Sequence, residues 1–201
     1  MAESRSERKH RAILDAATGL FLRDGFRGTS MDAVATAAEV SKQTVYAHFA
    51  TKKALFAAIV EGTLERAGGP VRAEIAELND VDGLRELARG YLEAVMRPQV
   101  LALRRMIIGE ASRQPELARL YYARAPEGTL TDLAAAFTRL TEQGVLRTPD
   151  PRLAADHFAF LVLGLPLDKA LFHVGDAVFT RAELRTHADA GVTAFLAAYG
   201  A

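Results

Sequence analysis

Apolar residues recur at helical spacing along the whole chain, and no stretch shows the sustained alternation that is typical of a half-buried β-strand. In the first third of the chain the pattern predicts a helix that ends at Asp24-Gly25, a short helix over 31–38, another from 41 to about 48, and a fourth that begins after residue 51. The predicted N-caps of the last three are Ser30, Ser41 and Thr51. Gly68-Gly69-Pro70 predicts the end of the fourth helix.

Longer helices are predicted after that break, over residues 81–96, 98–113, 126–143, 151–173 and 179–199. The signals that separate them are Pro98, Pro115, Pro126, Gly144 and the turn at 148–151, where Asp150 and Pro151 form an N-cap and first-turn pair. Pro166 lies inside an apolar run and is expected to kink or end its helix. The chain is therefore predicted to be all-α, with a small N-terminal domain over 1–53, a linking helix, and a larger helical domain over 54–201.

Composition narrows the possible functions. The chain has 201 residues, half of them apolar, and 25 basic residues balance 25 acidic ones. Residues 1–53 hold nine Lys and Arg against six Asp and Glu, so the small domain is basic and suited to a polyanion. Cysteine is absent, no secretory signal is visible, and the longest apolar run, 158–167, is about half the length that spans a bilayer. A cytoplasmic protein without a membrane span is expected.

Residues 31–50 carry the clearest functional pattern: two short helices joined by a three-residue turn. The apolar positions that such a pair must bury are Val34, Ala38, Val40, Val45 and Phe49. The second helix then exposes polar and small side chains suited to a DNA major groove. Gln43 can hydrogen-bond a base edge, and Ala47 leaves room for a thymine methyl group. The pattern favours a helix-turn-helix, although an ordinary helical hairpin with a polar outer face satisfies the same spacing.

The stretches 21–31, 34–35, 40–49, 52–53 and 55–56 closely resemble the DNA-binding domain of TetR/AcrR-family regulators. The resemblance implies that Thr29, Tyr46 and Lys52 meet phosphates and that the face from Gln43 to Ala47 reads bases. Together with the helix pattern, it gives as expected DNA contacts Thr29, Ser41, Lys42, Gln43, Thr44, Tyr46, Ala47, His48 and Lys52. Glu39 departs from the family pattern, which places glycine in the turn, and would cost about 1 kcal/mol if the turn keeps a left-handed φ.

The remainder resembles the C-terminal domain of AefR-like members at 106–111, 115–118, 150–151 and 158–164. The resemblance implies that the last two long helices form a four-helix bundle in a homodimer and that the central helices enclose a cavity for a small-molecule effector. The expected dimer stripe is Phe158, Leu161, Val162 and Leu165, widened by Phe160, Leu163 and Leu167. The candidate effector contacts are Tyr91, Met96, Met106, Glu110, Tyr121, Phe137, His157 and Phe160.

Two other classes of function compete with this interpretation. An enzyme is disfavoured because the five histidines are scattered and no nucleophile elbow, Walker loop, H-E-x-x-H pair or dinucleotide glycine motif occurs. A helical scaffold that binds another protein through its polar hairpin is the remaining alternative. The resemblance favours a ligand-responsive repressor, released from a palindromic operator in double-stranded DNA by an unknown small molecule, with no cofactor or metal.

Overall fold

The described residues of this computed structural model, 4–175 and 178–201, form helices joined by short turns, with no β-strand among them. The helices are α1 (Arg5–Gly28), α2 (Met31–Ala37), α3 (Lys42–His48), α4 (Lys52–Glu77), α5 (Val81–Val95), α6 (Pro98–Glu110), α7 (Pro115–Tyr122), α8 (Gly128–Glu142), α9 (Pro151–Phe172) and α10 (Arg181–Tyr199). A π-helical segment, Ala123–Glu127, joins α7 to α8. The predicted all-α class is confirmed.

The chain divides into two compact units. The first, here called the head unit, contains the chain up to Thr63 together with Ala102–Tyr121. The second, the body unit, contains Leu64–Leu101 and Tyr122–Ala201. The head unit therefore holds α1–α3 and the first half of α4, and it also holds most of α6 and α7. No helix in the described part of the chain is long and apolar enough to cross a membrane.

The predicted caps are present at their helix ends. The backbone N–H groups of Ala33, Thr44, Ala54 and Leu153 donate to the side chains of Ser30, Ser41, Thr51 and Asp150 at 3.0, 3.1, 3.1 and 3.0 Å. Each bond satisfies one of the donors that a helix start leaves without an intrahelical acceptor. The predicted stop at Gly25 is also confirmed, since Gly25 takes φ 73° and ψ 174° and only a short helical turn follows it.

The predicted end of the fourth helix at Gly68-Gly69-Pro70 is wrong, because α4 continues to Glu77. Pro70 has no N–H group, so the carbonyl of Arg66 loses its helical donor. The Arg97 guanidinium supplies a replacement, with Nη1 donating to the Arg66 oxygen at 3.2 Å. A side chain from the turn between α5 and α6 thus stabilises a helix that the local sequence would terminate.

Two further prolines are also accommodated within helices. Pro126 was expected to separate two helices, but it lies in the π-helical segment, and residues 115–142 form one continuous helical run. The wider π turn relieves the clash that a proline ring makes with the carbonyl four residues earlier in an α-helix. Pro166 does not end α9, which continues through it to Phe172.

The core of the body unit is built around three fully buried phenylalanines. The Phe137 ring centroid lies 5.6 Å from that of Phe158 and 5.1 Å from that of Phe195, and the Phe158 and Phe195 centroids are 5.3 Å apart. Full burial of each such side chain contributes about 1.5–3 kcal/mol to stability. These contacts join α8, α9 and α10, so they fix which face of α9 points inward.

The helices α9 and α10 approach each other very closely at Gly191. A Cβ atom at this position would lie 2.8 Å from the carbonyl oxygen of Leu161 and 3.1 Å from its carbonyl carbon. Both are backbone atoms that cannot rotate away. Only glycine therefore permits this helix–helix contact.

Candidate nucleic-acid interface

The turn between α2 and α3 is a Schellman motif. The N–H of Val40 donates to the carbonyl of Ala35 at 3.1 Å, and the N–H of Glu39 donates to that of Thr36 at 3.2 Å. This pair of bonds requires a left-handed residue between the two helices, and Glu39 takes that role with φ 54°. Glu39 therefore takes the left-handed φ that was expected to strain a non-glycine residue at this position.

Apolar contacts set the outward face of α3. Val34, Ala35, Val45 and Phe49 are buried, so α3 turns its opposite side to solvent. The exposed side chains on that side are Lys42, Gln43, Tyr46 and Ala47, while Thr44 and His48 are half-buried. The structure thus presents most of the predicted base-reading face at the surface of the head unit.

The first turn of α3 is ordered by its own polar side chains. The hydroxyls of Ser41 and Thr44 are 2.8 Å apart, in addition to the cap bond from the Thr44 N–H to the Ser41 hydroxyl. Lys42 pairs with Asp32 of α2, with Nζ 2.8 Å from Oδ1, and this bond raises the pKa of Lys42. The two hydroxyls are therefore engaged within the helix start, whereas Gln43 extends from it into solvent.

Thr29 and Lys52 form one structural unit behind this face. The Thr29 side chain is only 2% exposed, and its hydroxyl donates to the carbonyl of Gly25 at 2.9 Å. Lys52 Nζ donates to the Thr29 carbonyl at 2.9 Å and lies 4.6 Å from the centroid of the Phe26 ring. The Thr29 hydroxyl is thus not presented to a phosphate in this conformation, contrary to expectation, because it caps the end of α1.

His48 closes the C-terminal end of α3 by packing against aromatic rings. The His10 ring of α1 lies 5.4 Å from the His48 ring and 4.9 Å from that of Phe49, centroid to centroid. This packing connects α3 to α1 and leaves His48 half-buried.

One ion pair of the head unit could not be found from sequence. Lys53, in the first turn of α4, donates to Glu116 in the first turn of α7, and both side chains are about half exposed. The two residues are separated by 63 positions. No local pattern signals a contact between residues so far apart.

The candidate effector contacts are divided between the two units. Met106, Glu110 and Tyr121 lie in the head unit, and the other five lie in the body unit. Tyr91 and Phe137 are part of the body core, with Met96 packed against it. His157 is exposed, with Nδ1 2.6 Å from the Tyr199 hydroxyl, and Phe160 lies on the outer surface of α9. Phe160 therefore does not line an interior cavity as expected.

Glu110 and Tyr121 have the polar chemistry that a ligand contact needs. The Oε2 atom of Glu110 is buried and has no hydrogen-bond partner within the described chain, and the same holds for Oε1 of Gln114. The Tyr121 hydroxyl accepts from Arg104 Nε at 3.0 Å. Among residues 4–175 and 178–201, no group of three or more His, Asp or Glu side chains is placed to hold a metal ion.

The expected dimer stripe is divided between the interior and the surface. Phe158 and Val162 are fully buried in the core of their own chain and so cannot contact a partner in this conformation, which corrects that part of the expectation. Leu161 and Leu165, each three residues further along α9 on the same stripe, are exposed. Phe158 is buried because its ring packs against Phe137 in the aromatic cluster of the core.

Comparison with known proteins agrees with this architecture. The family described as bacterial regulatory proteins, tetR family, matches residues 13–59, and the AefR-like transcriptional repressor C-terminal domain matches residues 82–201. The HTH-type transcriptional regulator UidR of Escherichia coli (strain K12) is 30% identical over 138 residues, which cover 69% of this chain and 68% of UidR.

Solved structures extend the similarity to nearly the whole chain. A crystal structure described as a TetR-family transcriptional regulator from Mesorhizobium loti MAFF303099 is 41% identical, covers 99% of this chain and 100% of its own, and has a TM-score of 0.89. The flavonoid-responsive regulator FrrA is 37% identical, with coverages of 96% and 97% and a TM-score of 0.80. The chain therefore belongs to the TetR family, with an AefR-like C-terminal domain, and is a ligand-responsive DNA-binding transcriptional regulator.

Proposed function

We propose that α3 enters the DNA major groove and that Gln43 and Ala47 contact base edges there. The observation that carries this assignment is the exposed Gln43–Tyr46–Ala47 face of α3, which lies opposite the fully buried Val45. Tyr46 and Lys52 contact phosphates, aided by the amino end of α4, whose N–H groups attract anions. Residues 1–53 then form the DNA-binding domain and residues 54–201 the effector-binding and dimerisation domain.

We also propose that the dimer interface is formed by the exposed apolar side chains of α9. Phe160, Leu165 and Phe172 are 77%, 66% and 79% exposed, and Leu161 lies beside them. Apolar side chains this exposed on one helix stabilise the protein only when a partner covers them. A second copy is the favoured partner, because a two-fold axis also places two copies of α3 on half-sites about one helical turn, or a multiple of it, apart.

A small molecule is proposed to release the repressor from its operator in the cytoplasm. Glu110 is the strongest candidate contact, because its buried Oε2 can accept a hydrogen bond from a hydroxyl or amine of the effector. Tyr91, Met96, Tyr121, Phe137 and His157 are weaker candidates, since their burial or partners are explained by packing within the chain. Met106 is also a weaker candidate, because its half-buried side chain offers no hydrogen-bonding group comparable to that of Glu110. Effector and operator must each lower the affinity of the protein for the other by the same factor.

The experiment that tests DNA recognition compares Gln43→Ala with Gln99→Ala, an exposed helical glutamine of the body unit. An operator is first selected with the wild-type protein from a random duplex pool. Gln43→Ala is expected to lose about 1–3 kcal/mol on that operator and little on random duplex, while Gln99→Ala binds as wild type does. Equal losses on both duplexes would show that α3 is oriented differently in the groove. Wild-type protein without salt-sensitive binding to any duplex would favour the helical scaffold instead.

A further inference from the structure

The ion pair between Lys53 and Glu116 joins the start of α4 to the start of α7 within the head unit. The hydrogen bond from Lys53 is the main reason that the pKa of the Glu116 carboxyl lies below its ordinary value. Both side chains are half exposed, so neither is enclosed by apolar packing. Surface pairs of this kind stabilise a fold by at most a modest amount. The pair therefore contributes little to stability, and its effect on function depends on where Lys53 lies.

Lys53 lies where the proposed interface holds phosphates. It follows Lys52 in the first turn of α4, and its helix start is capped by Thr51. Lys52 is held by the Thr29 carbonyl and the Phe26 ring, and Lys42 is held by Asp32, so both have acceptors within the first 50 residues. Lys53 differs because its acceptor belongs to α7. The ammonium group of Lys53 is thus paired with a carboxylate 63 positions further along the chain.

We infer that Glu116 sets the DNA affinity of this regulator by holding the Lys53 ammonium on α7, in competition with a DNA phosphate. The inference rests on the proposed DNA interface and adds to it a residue outside the helix-turn-helix. The helix that carries Glu116 runs without a break through the π-helical segment into α8, which packs on α9 in the body unit. Because Glu116 lies on α7, a displacement of α7 changes the distance between the Glu116 carboxylate and the Lys53 ammonium.

The test measures binding of the full-length protein to a random-sequence duplex by fluorescence anisotropy over a series of KCl concentrations. Glu116→Gln removes the charge, and Glu116→Asp keeps the charge but shortens the side chain by one methylene, which breaks the contact. Glu127→Gln is the matched control, because Glu127 is paired with Arg152 in the body unit and loses the same charge. Each substitution is also made together with Lys53→Gln. Circular dichroism melting verifies that every variant is folded.

Glu116→Gln is expected to tighten binding about two- to fivefold per protomer and to steepen the dependence of log K on log salt by about 0.9 per protomer. Glu116→Asp is expected to give part of this gain, and Lys53→Gln is expected to abolish it. A Glu116→Gln gain that persists with Lys53→Gln, or is matched by Glu127→Gln, would reflect general loss of negative charge and overturn the inference. Unchanged or weaker binding by Glu116→Gln would also overturn it. Wild-type protein that fails to bind the duplex would instead refute the proposed function.

Discussion

Replacement of Glu39 by glycine is expected to stabilise the head unit or, at worst, to be neutral. Glu39 is the left-handed residue of the Schellman motif that ends α2, with φ 54°, and its side chain is exposed. The same motif ends α8, where the N–H of Val145 donates to the carbonyl of Leu140 at 2.9 Å. There the left-handed residue is Gly144, with φ 73°. The chain therefore contains one Schellman motif with a strained left-handed residue, Glu39, and one in which glycine avoids the strain, at Gly144.

The magnitude follows from two opposing terms. A residue with a Cβ atom at left-handed φ costs about 1–2 kcal/mol relative to glycine. Glycine in turn has more freedom in the unfolded chain, which removes about 0.4–1 kcal/mol of that gain. The net expectation for Glu39→Gly is about 0–1.6 kcal/mol of added stability. For a chain of this size, 1 kcal/mol corresponds to about 2–4 °C in melting temperature.

The assay is thermal and urea unfolding of the full chain by circular dichroism, with hydrogen exchange of residues 31–49 as the local measurement. Glu39→Ala is the first control, because it removes the side chain but keeps the strained φ and should give no gain. Gly144→Ala is the second control and should lose about 1 kcal/mol. A Cβ at Gly144 meets nothing within 4 Å, so this loss comes from the backbone alone.

A clear fall in melting temperature for Glu39→Gly would refute this reasoning. It would mean that the Glu39 side chain contributes more to the head unit than its backbone strain removes. An equal gain for Glu39→Ala and Glu39→Gly would likewise refute it, because the benefit would then come from loss of the carboxylate and not from φ.

Three further outcomes are expected. Phe160→Glu places a charge on the exposed face of α9 and should yield folded monomers by sedimentation, whereas a wild-type chain that is monomeric at micromolar concentration would contradict the dimer. Arg97→Met leaves the Arg66 carbonyl without its donor and should lower the free energy of unfolding by about 0.5–1.5 kcal/mol in a urea titration. Arg89 donates twice to Asp189 at 2.7 Å and lowers the pKa of Asp189, so this pair stabilises the fold above about pH 3.9 and loses its effect as the pH falls through the lowered pKa. The stability difference between wild type and Arg89→Met should therefore shrink as the pH falls below about 4.

The helix boundaries that depend on local chemistry were predictable from the sequence. Ser30, Ser41, Thr51 and Asp150 cap their helices because each offers an oxygen to an N–H three residues later. Pro70 shows the limit of this approach. Helix α4 continues through Pro70, and the Arg97 guanidinium donates to the Arg66 carbonyl, which has lost its helical donor. Arg97 is 31 positions from Arg66, so this contact cannot be predicted from the local sequence.

In the candidate site, too, some features follow from the local sequence and others depend on tertiary contacts. The exposed face of α3 follows from which of its residues are apolar, so Gln43 and Ala47 were predictable. The burial of Phe158 and the exposure of Phe160 depend on which face of α9 meets Phe137 and Phe195, and helical periodicity alone cannot choose between two apolar faces. The Lys53–Glu116 contact was unpredictable because it depends on tertiary structure.

The glycine contact between α9 and α10 also has a consequence for the proposed dimer interface. Because position 191 excludes any Cβ, the spacing of the two helices is set by backbone atoms and does not depend on the outward side chains of α9. Phe160, Leu165 and Phe172 are exposed, so we expect that they can be exchanged without altering the packing of α9 on α10. If α9 forms the proposed dimer interface, this arrangement allows the pairing specificities of related regulators to diverge by surface substitutions alone. Redesign of orthogonal pairs should accordingly vary these three positions and keep Gly191.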